Sequence, residues 1–375
     1  MRAAFLSVWA VIVSAAFLQA ASGLQSDLLG VRAGLAGFAD WTIGLMMAAY
    51  YVSYSGVPLT AHYVIGRLGQ VLVIVICALA AAAVIVVHPL LVTPMVWTGL
   101  RMISGFAMAL IYVAYESWIN GSAPNALRGR LFSIYMIVQM VTMTAAQYLF
   151  SLGDPRRMGL FVLTGALFAF AALPVALVRR AAPASVPPEP LSLVKLFRLS
   201  PLGASVTALA GLCWATVATF GPVYAQHIGF GLGGIGLFMA LALIGGGALM
   251  FPLAWLSDTM GRRPVLASMF AAGLAASLFG LWAVHRGAIA NDVAALLAGA
   301  FVFPLYGISV AHANDAVDPG TRVAAAAGLV LLFGLGSIFG PLLCGWAMTA
   351  MGPGGFFAVL AASMAAGAAA AAKWG

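Results

Sequence analysis

Charge is what this chain has least of. Asp, Glu, Lys and Arg make up 7% of its 375 residues, where a soluble domain carries about 25%. Hydrophobic residues make up 64% and the mean hydropathy is +1.08. That leaves too little polar side chain to cover a water-soluble globule, so a soluble fold is excluded. Carboxylates are scarcer than cations, 9 against 17. The basic residues lie between apolar runs and not in a patch interleaved with aromatics, which excludes a nucleic-acid partner. There are 3 cysteines, Cys77, Cys213 and Cys344, each inside an apolar run. They form neither a disulfide framework nor a metal-ligand spacing, and no cofactor or metal is expected. No G-x-x-x-x-G-K-[ST] phosphate loop occurs, which argues against ATP hydrolysis. No nucleophile–base set appears at helical spacing, so the chain is not read as an enzyme.

What it has in quantity is apolar runs of membrane-spanning length. Cut at polar or Gly/Pro punctuation, they predict an all-α membrane protein of twelve helices. The first six cover 4–26, 41–61, 70–88, 93–117, 130–151 and 158–178. The second six cover 202–225, 232–255, 264–284, 292–312, 323–349 and 354–372. Arg2 before an apolar run has the look of a signal peptide, but with eleven further spans it reads as an uncleaved first helix. Counting Lys and Arg in the loops puts both termini in the cytoplasm, with Arg32, Arg156, Arg157 and Arg286 outside and Arg101 within the membrane. The segment 179–201, rich in proline and ending in KLFRLSP, separates residues 1–178 from 202–375. Within it, Leu193, Leu196 and Phe197 beside Lys195 and Arg198 suit either an interfacial helix on anionic lipid or a solvated loop.

The two halves echo each other. IGLMMA at 43–48 recurs as IGLFMA at 235–240, Pro58-Leu59 as Pro252-Leu253, and Gly66-Arg67 as Gly261-Arg262. Asn120, Pro124 and Arg128 have counterparts in Asp315, Pro319 and Arg322. A parallel repeat of two six-helix bundles is the architecture of the major facilitator superfamily (MFS) of transporters. Three motifs carry the same resemblance. DTMGRR at 258–263 resembles the family's loop signature D-x-x-G-R-R/K. RMISG at 101–105 resembles the fourth-helix R-x-x-x-G of many proton-coupled members. YESWINGSAPNALRGRLFSIYMI at 115–137, with LSLVKLFRLSPLG at 191–203, resembles the bacterial YcaD-like branch. That resemblance implies a multi-pass protein of the bacterial inner membrane. It implies secondary-active transport of a small solute by alternating access.

Candidate residues follow from charge and helical spacing. Arg101, Gly105, Met108, Tyr112 and Glu116 form one stripe of a 3.6-period helix. Arg101 and Glu116, fifteen residues apart, stand about 22 Å from one another along the axis and cannot pair. Gln19, Gln25 and Asp27 on the first helix come to the depth of Arg101. Three roles are open for Arg101: exchanging Asp27 for a proton or substrate, binding a substrate anion directly, or a static ion pair. Tyr50, Tyr54, Gln139, Trp214 and Tyr306 are candidate cavity residues, with helix packing as their plain alternative. Gly261 permits a tight turn, and Asp258, Arg262 and Arg263 form a cytoplasmic gate or merely fix topology. Glu116 is read with Arg128 or Arg130 as a gate or brace, or else as a proton carrier. The copy of the loop in the first half, HYVIGRLGQ, lacks the acid.

The leading expectation is therefore transport of an organic anion or amphipathic solute, with protons as coupling ion. Membrane lipids are the surrounding partner, and the protein is expected to act as a monomer. An uncoupled facilitator, or a non-transporting membrane sensor or assembly partner, is the alternative. The helix-five G-P-x-x-G-G-like signature of drug/proton antiporters is absent, which speaks against a typical multidrug exporter.

Overall fold

The computed structural model describes residues 2–122, 125–178, 192–318 and 321–374, and every regular element among them is helical. In chain order they are α1 (Arg2–Leu35), α2 (Asp40–Gly56), α3 (Ala61–Leu68), α4 (Gln70–Val87), α5 (Pro94–Ser122), α6 (Asn125–Ser151) and α7 (Met158–Ala176). Then follow α8 (Leu193–Leu199), α9 (Pro201–His227), α10 (Leu232–Met260), α11 (Arg262–Ala283), α12 (Ala288–Val302), α13 (Leu305–Asp315), α14 (Arg322–Met351) and α15 (Gly355–Lys373). This is the result that hydrocarbon enforces, because helices satisfy their backbone groups internally.

Each expected span coincides with helix, and the departures have local causes. α1 runs on to Leu35, past the expected end at 26, because nothing between them breaks a helix. Pro58 cannot continue α2, so a 3-10 turn over Val57–Leu59 replaces it and α3 forms as a separate short helix. Pro304 divides the expected tenth span into α12 and α13. α8 forms inside the expected linker, with the Ser192 hydroxyl accepting from the Lys195 amide at 3.3 Å. Leu196 is buried there while Lys195, Phe197 and Arg198 stay exposed. The proline-rich residues 183–190 lie outside the described residues. Among the described residues, nine helical segments are long and apolar enough to cross a membrane.

The chain divides into two compact units: residues 1–32 with 52–187, and residues 33–51 with 188–375. In the first, α4 packs against α5 and α7. In the second, α9 packs on α14, α10 on α12 and α11 on α15. Small residues make these contacts close, as they must where lipid supplies no hydrophobic drive between helices. A Cβ on Gly211 of α9 would stand 2.0 Å from the Phe333 carbonyl oxygen, and one on Gly336 of α14 would stand 1.9 Å from that of Ala208. On the α10–α12 contact, a Cβ on Gly299 would meet the Ala242 oxygen at 1.8 Å. Large apolar side chains such as Phe251, Trp255 and Trp346 point outward instead, suited to lipid.

Backbone meeting backbone cannot yield as a flexible side chain can. Gly299→Val is therefore expected to destabilise the protein by at least about 1–3 kcal/mol, and Gly99→Ala, which meets nothing within 4 Å, to leave it unchanged or slightly more stable. Thermal unfolding of the purified variants in detergent checks both.

Candidate functional site

Of the stripe expected on α5, Arg101, Gly105 and Met108 are buried, Tyr112 is partly buried and Glu116 is exposed. Arg101 is 3% exposed, inside a helix that is otherwise apolar enough to span a bilayer. A cation there costs roughly 2.5–3.5 kcal/mol on insertion scales, so it persists for a function or a partner. Its neighbourhood contains two residues that sequence reasoning passed over. Trp97, one turn earlier on α5, donates its indole N–H to the His88 carbonyl at 2.9 Å, and the two rings meet edge to face at 5.2 Å. His88 is fully buried, its Nδ1 2.8 Å from the Val84 carbonyl oxygen. The Arg101 charge is close enough to act on this imidazole. The signal was present, since Trp97 precedes Arg101 by four residues, one helical turn.

The polar residues of α1 are brought to α5 and α6. The Tyr112 hydroxyl donates to Gln19 Oε1, and the Gln19 amide points at the Met143 sulfur, 3.8 Å away. Tyr54 stands beside them, its ring 6.3 Å from that of Tyr112. Eight residues along α1, Asp27 is 1% exposed and has the Gln147 side chain of α6 as its hydrogen-bonding neighbour. Gln25 is buried as well. Gly23 lets the two helices close up, because a Cβ there would lie 3.2 Å from that of Ala146.

The remaining candidates divide. Gln139 turns back along its own helix toward the Met136 sulfur at 3.9 Å. Tyr50 packs edge to face on Tyr51 with ring centroids 5.1 Å apart. In the second unit, Trp214 and Tyr306 flank Phe333 at 6.0 and 4.8 Å, forming an aromatic trio whose centre the sequence did not single out. Glu116 is exposed on α5, near enough for its charge to act on the buried Tyr135. Arg130 is exposed at the start of α6. The side chain of Arg128 lies outside the described residues.

The loop motif between α10 and α11 is built around Arg262. Its Nη1 donates to Asp258 Oδ1 at 3.0 Å and to the Ser257 hydroxyl at 3.2 Å, and its Nε donates to Asp315 Oδ2 at the end of α13. Gly261 makes the turn in the left-handed half of the map, at φ 91°, where a side chain is strained. Arg263 reaches the Ala371 carbonyl of α15 at 3.4 Å.

In the first half the corresponding turn is Gly69, at φ 77° and ψ 156° against 91° and 148° for Gly261. This corrects the expected match of Gly66-Arg67 with Gly261-Arg262. Equating the two turn glycines puts Gln70 in the place of Arg262 and Gly66 in the place of Asp258. Gln70 is buried and donates to the Ser117 hydroxyl of α5 at 2.9 Å. One half thus makes by a neutral hydrogen bond the link that the other makes by charge.

A family model described as Major Facilitator Superfamily matches residues 3–330. An uncharacterized MFS-type transporter, YcaD, from Escherichia fergusonii is 26% identical over 303 residues, covering 80% of this chain and 78% of that protein. The MFS-type transporter Ent638_1421 of an Enterobacter strain is 27% identical over the same coverage. Among solved structures, the nucleoside transporter NupG superposes with TM-score 0.82 at 15% identity over 98% of each chain. A bacterial homologue of the lysosomal transporter Spinster, inward-facing and unoccupied, gives 0.76 at 15% identity, over 99% of this chain and 95% of that one. At such identities these two describe the fold alone.

Arg262 is 24% exposed and its two carboxylate partners more than half exposed. A double-mutant cycle of Arg262→Ala with Asp315→Ala is therefore expected to give a coupling of about 0.5–1 kcal/mol, shrinking as salt is raised. Thermal unfolding of the four proteins at low and high ionic strength measures it.

Proposed function

The chain belongs to the Major Facilitator Superfamily, and from that premise we propose secondary-active transport of a small organic anion, coupled to protons. It is a transporter and not an enzyme, and a multi-pass membrane protein. The observation that carries the anion reading is Arg101, a buried guanidinium on a membrane-spanning helix. A planar fork of N–H donors that stays charged is suited to a carboxylate or phosphate. The amide, hydroxyl and phenol groups of Gln19, Tyr54 and Tyr112 then supply the hydrogen bonds that orient an otherwise apolar solute.

Proton coupling is assigned to Asp27. A carboxylate buried beside an uncharged amide is costly in its ionised form, and taking up a proton removes that cost. Its exchange between Gln147 and Arg101 links the proton to the solute's counter-charge. The Arg262 cluster is the gate on the cytoplasmic side, opposed by the neutral Gln70–Ser117 link in the other half. Glu116 braces the same side.

The proposed topology is twelve crossings in two six-helix bundles, residues 1–178 and 202–375, with both termini cytoplasmic in a bacterial inner membrane. Supporting it, the apolar stretch Ala324–Lys373 has 50 residues, about 75 Å of helix, and it breaks at Gly352-Pro353 into α14 and α15, two passages of bilayer length. Between the bundles, α8 rests on lipid headgroups through Lys195 and Arg198, and the protein works as a monomer by alternating access.

A thermal-shift screen against organic anions, cations and neutral metabolites tests the reading. An anion at a hundred times its Kd raises stability by about 2.7 kcal/mol. That shift is expected to vanish in Arg101→Ala and to survive in part in Arg101→Lys. Stabilisation of both proteins by neutral or cationic ligands overturns the anion assignment. In proteoliposomes, Asp27→Asn is expected to retain exchange of the solute and lose its dependence on a proton gradient. A gradient dependence unchanged in that variant removes Asp27 from the coupling.

A further inference from the structure

The second compact unit contains a piece of the first half of the chain. Residues 33–51, the end of α1 and most of α2, belong to it, so α1 and α2 each pass from one unit to the other along a continuous helix. Four fixtures hold this hairpin within the unit. A Cβ on Gly44 of α2 would stand 2.5 Å from the Pro341 carbonyl oxygen, and one on Gly345 of α14 would stand 2.5 Å from that of Asp40. The Trp41 amide donates to the Thr349 hydroxyl at 3.0 Å. A Cβ on Gly34 would meet Gln226 Oε1 at 2.5 Å. The fourth is an ion pair between Asp40 Oδ1, in the first turn of α2, and His227 Nε2, in the last turn of α9, 3.4 Å apart.

We propose that Asp40 and His227 form a proton-binding site that clamps the α1–α2 hairpin onto α9 and α14 and releases it when the proton leaves. The other three fixtures are packing contacts and a neutral hydrogen bond, which no proton alters. The pair is placed to exchange with water yet is not fully hydrated, the side chains being 12% exposed for Asp40 and 31% for His227. Burial raises the Asp40 carboxyl and the His227 charge opposes that rise. Of the other groups facing the pair, α14 offers the Cys344 thiol, which the Asp40 charge reaches. α1 carries Arg32 in its last turn, and residues 36–39 carry no charge.

The sign follows from the two protonation states. With the imidazole protonated and the carboxylate ionised, the pair is neutral overall and attractive. When the proton leaves the imidazole, the cation is lost and a largely buried carboxylate remains without its counter-charge. At low pH the raised carboxyl of Asp40 takes up a proton first, and the attraction is lost from the other side. The clamp is tightest in mildly acidic medium. In the proposed topology this end of the bundle faces away from the cytoplasm, so the clamp senses the external proton concentration. It depends neither on the identity of the solute nor on Arg101.

The molecule carries its own reporter. Cys344 is fully buried on α14, next to Gly345, which abuts the Asp40 carbonyl and Gly44 of the hairpin, and its exposure is expected to follow lifting of the hairpin. Alkylation of the intact protein, read peptide by peptide in a mass spectrometer, follows it, with buried Cys213 as internal reference. Dividing the Cys344 rate of His227→Gln by that of the parent at each pH cancels the thiol's own titration. The expected ratio is about fivefold at pH 6, the scale of one ion pair, falling to about one at pH 8. Asp40→Asn is expected to behave alike, and the exchanged pair Asp40→His/His227→Asp to restore protection at pH 6. A ratio equal at the two pH values, or protection unchanged in both single variants, overturns the proposal.

Discussion

Hydrocarbon offers no hydrogen bonds, and nearly every choice in this chain answers that constraint. The backbone coils into helices because each peptide group must find its partner in the same segment. Hydroxyl side chains do likewise. Thr164 donates to Leu160, Thr207 to Gly203, Thr216 to Leu212, Ser277 to Gly273 and Ser363 to Val359, each to the carbonyl four residues earlier. With polar groups satisfied locally, association between helices falls to shape, and glycine allows the α9–α14 and α10–α12 backbones to touch. Against that background the few polar groups that look beyond their own helix stand out, Asp27 toward Gln147 and Tyr112 toward Gln19 among them.

The two halves follow one plan with different chemistry. Gly69 and Gly261 hold the same unusual backbone conformation at the same joint between helices. The residue after each glycine reaches toward a neighbouring helix, Gln70 to Ser117 and Arg262 to Asp315. A neutral link is insensitive to salt and pH, whereas the charged one responds to both. The same turn geometry thus carries one passive and one responsive joint. The Asp40–His227 contact is a further charge placed where helix ends meet, the first turn of α2 against the last turn of α9.

Much of this was legible in the order of residues, for definite reasons. Helix positions followed from the lengths of apolar runs, because bilayer thickness and helical rise are both fixed quantities. Arg101 was legible because a cation in such a run has few benign explanations. Gln19 is expected at the depth of Arg101, whereas the stripe residue it meets is Tyr112, eleven positions further along α5. The turn of the first half was misjudged because Gly66-Arg67 and Gly261-Arg262 share letters, whereas the backbone conformation belongs to Gly69. The aromatic trio was found only at its edges, since nothing in the sequence distinguishes Phe333 from any other apolar residue of α14.

Composition and periodicity determined that the chain enters a membrane, that it is helical, and that it repeats. These properties depend on each segment's own transfer energy and hydrogen bonding, which neighbours in space do not change. Tertiary structure alone decided the partnerships: His88 with Trp97, Asp27 with Gln147, and Asp40 with His227, the last 187 positions apart in the chain. A charge recorded in the sequence states what it costs to bury. What opposes that cost depends on which helix lies alongside, and only folding brings that helix there.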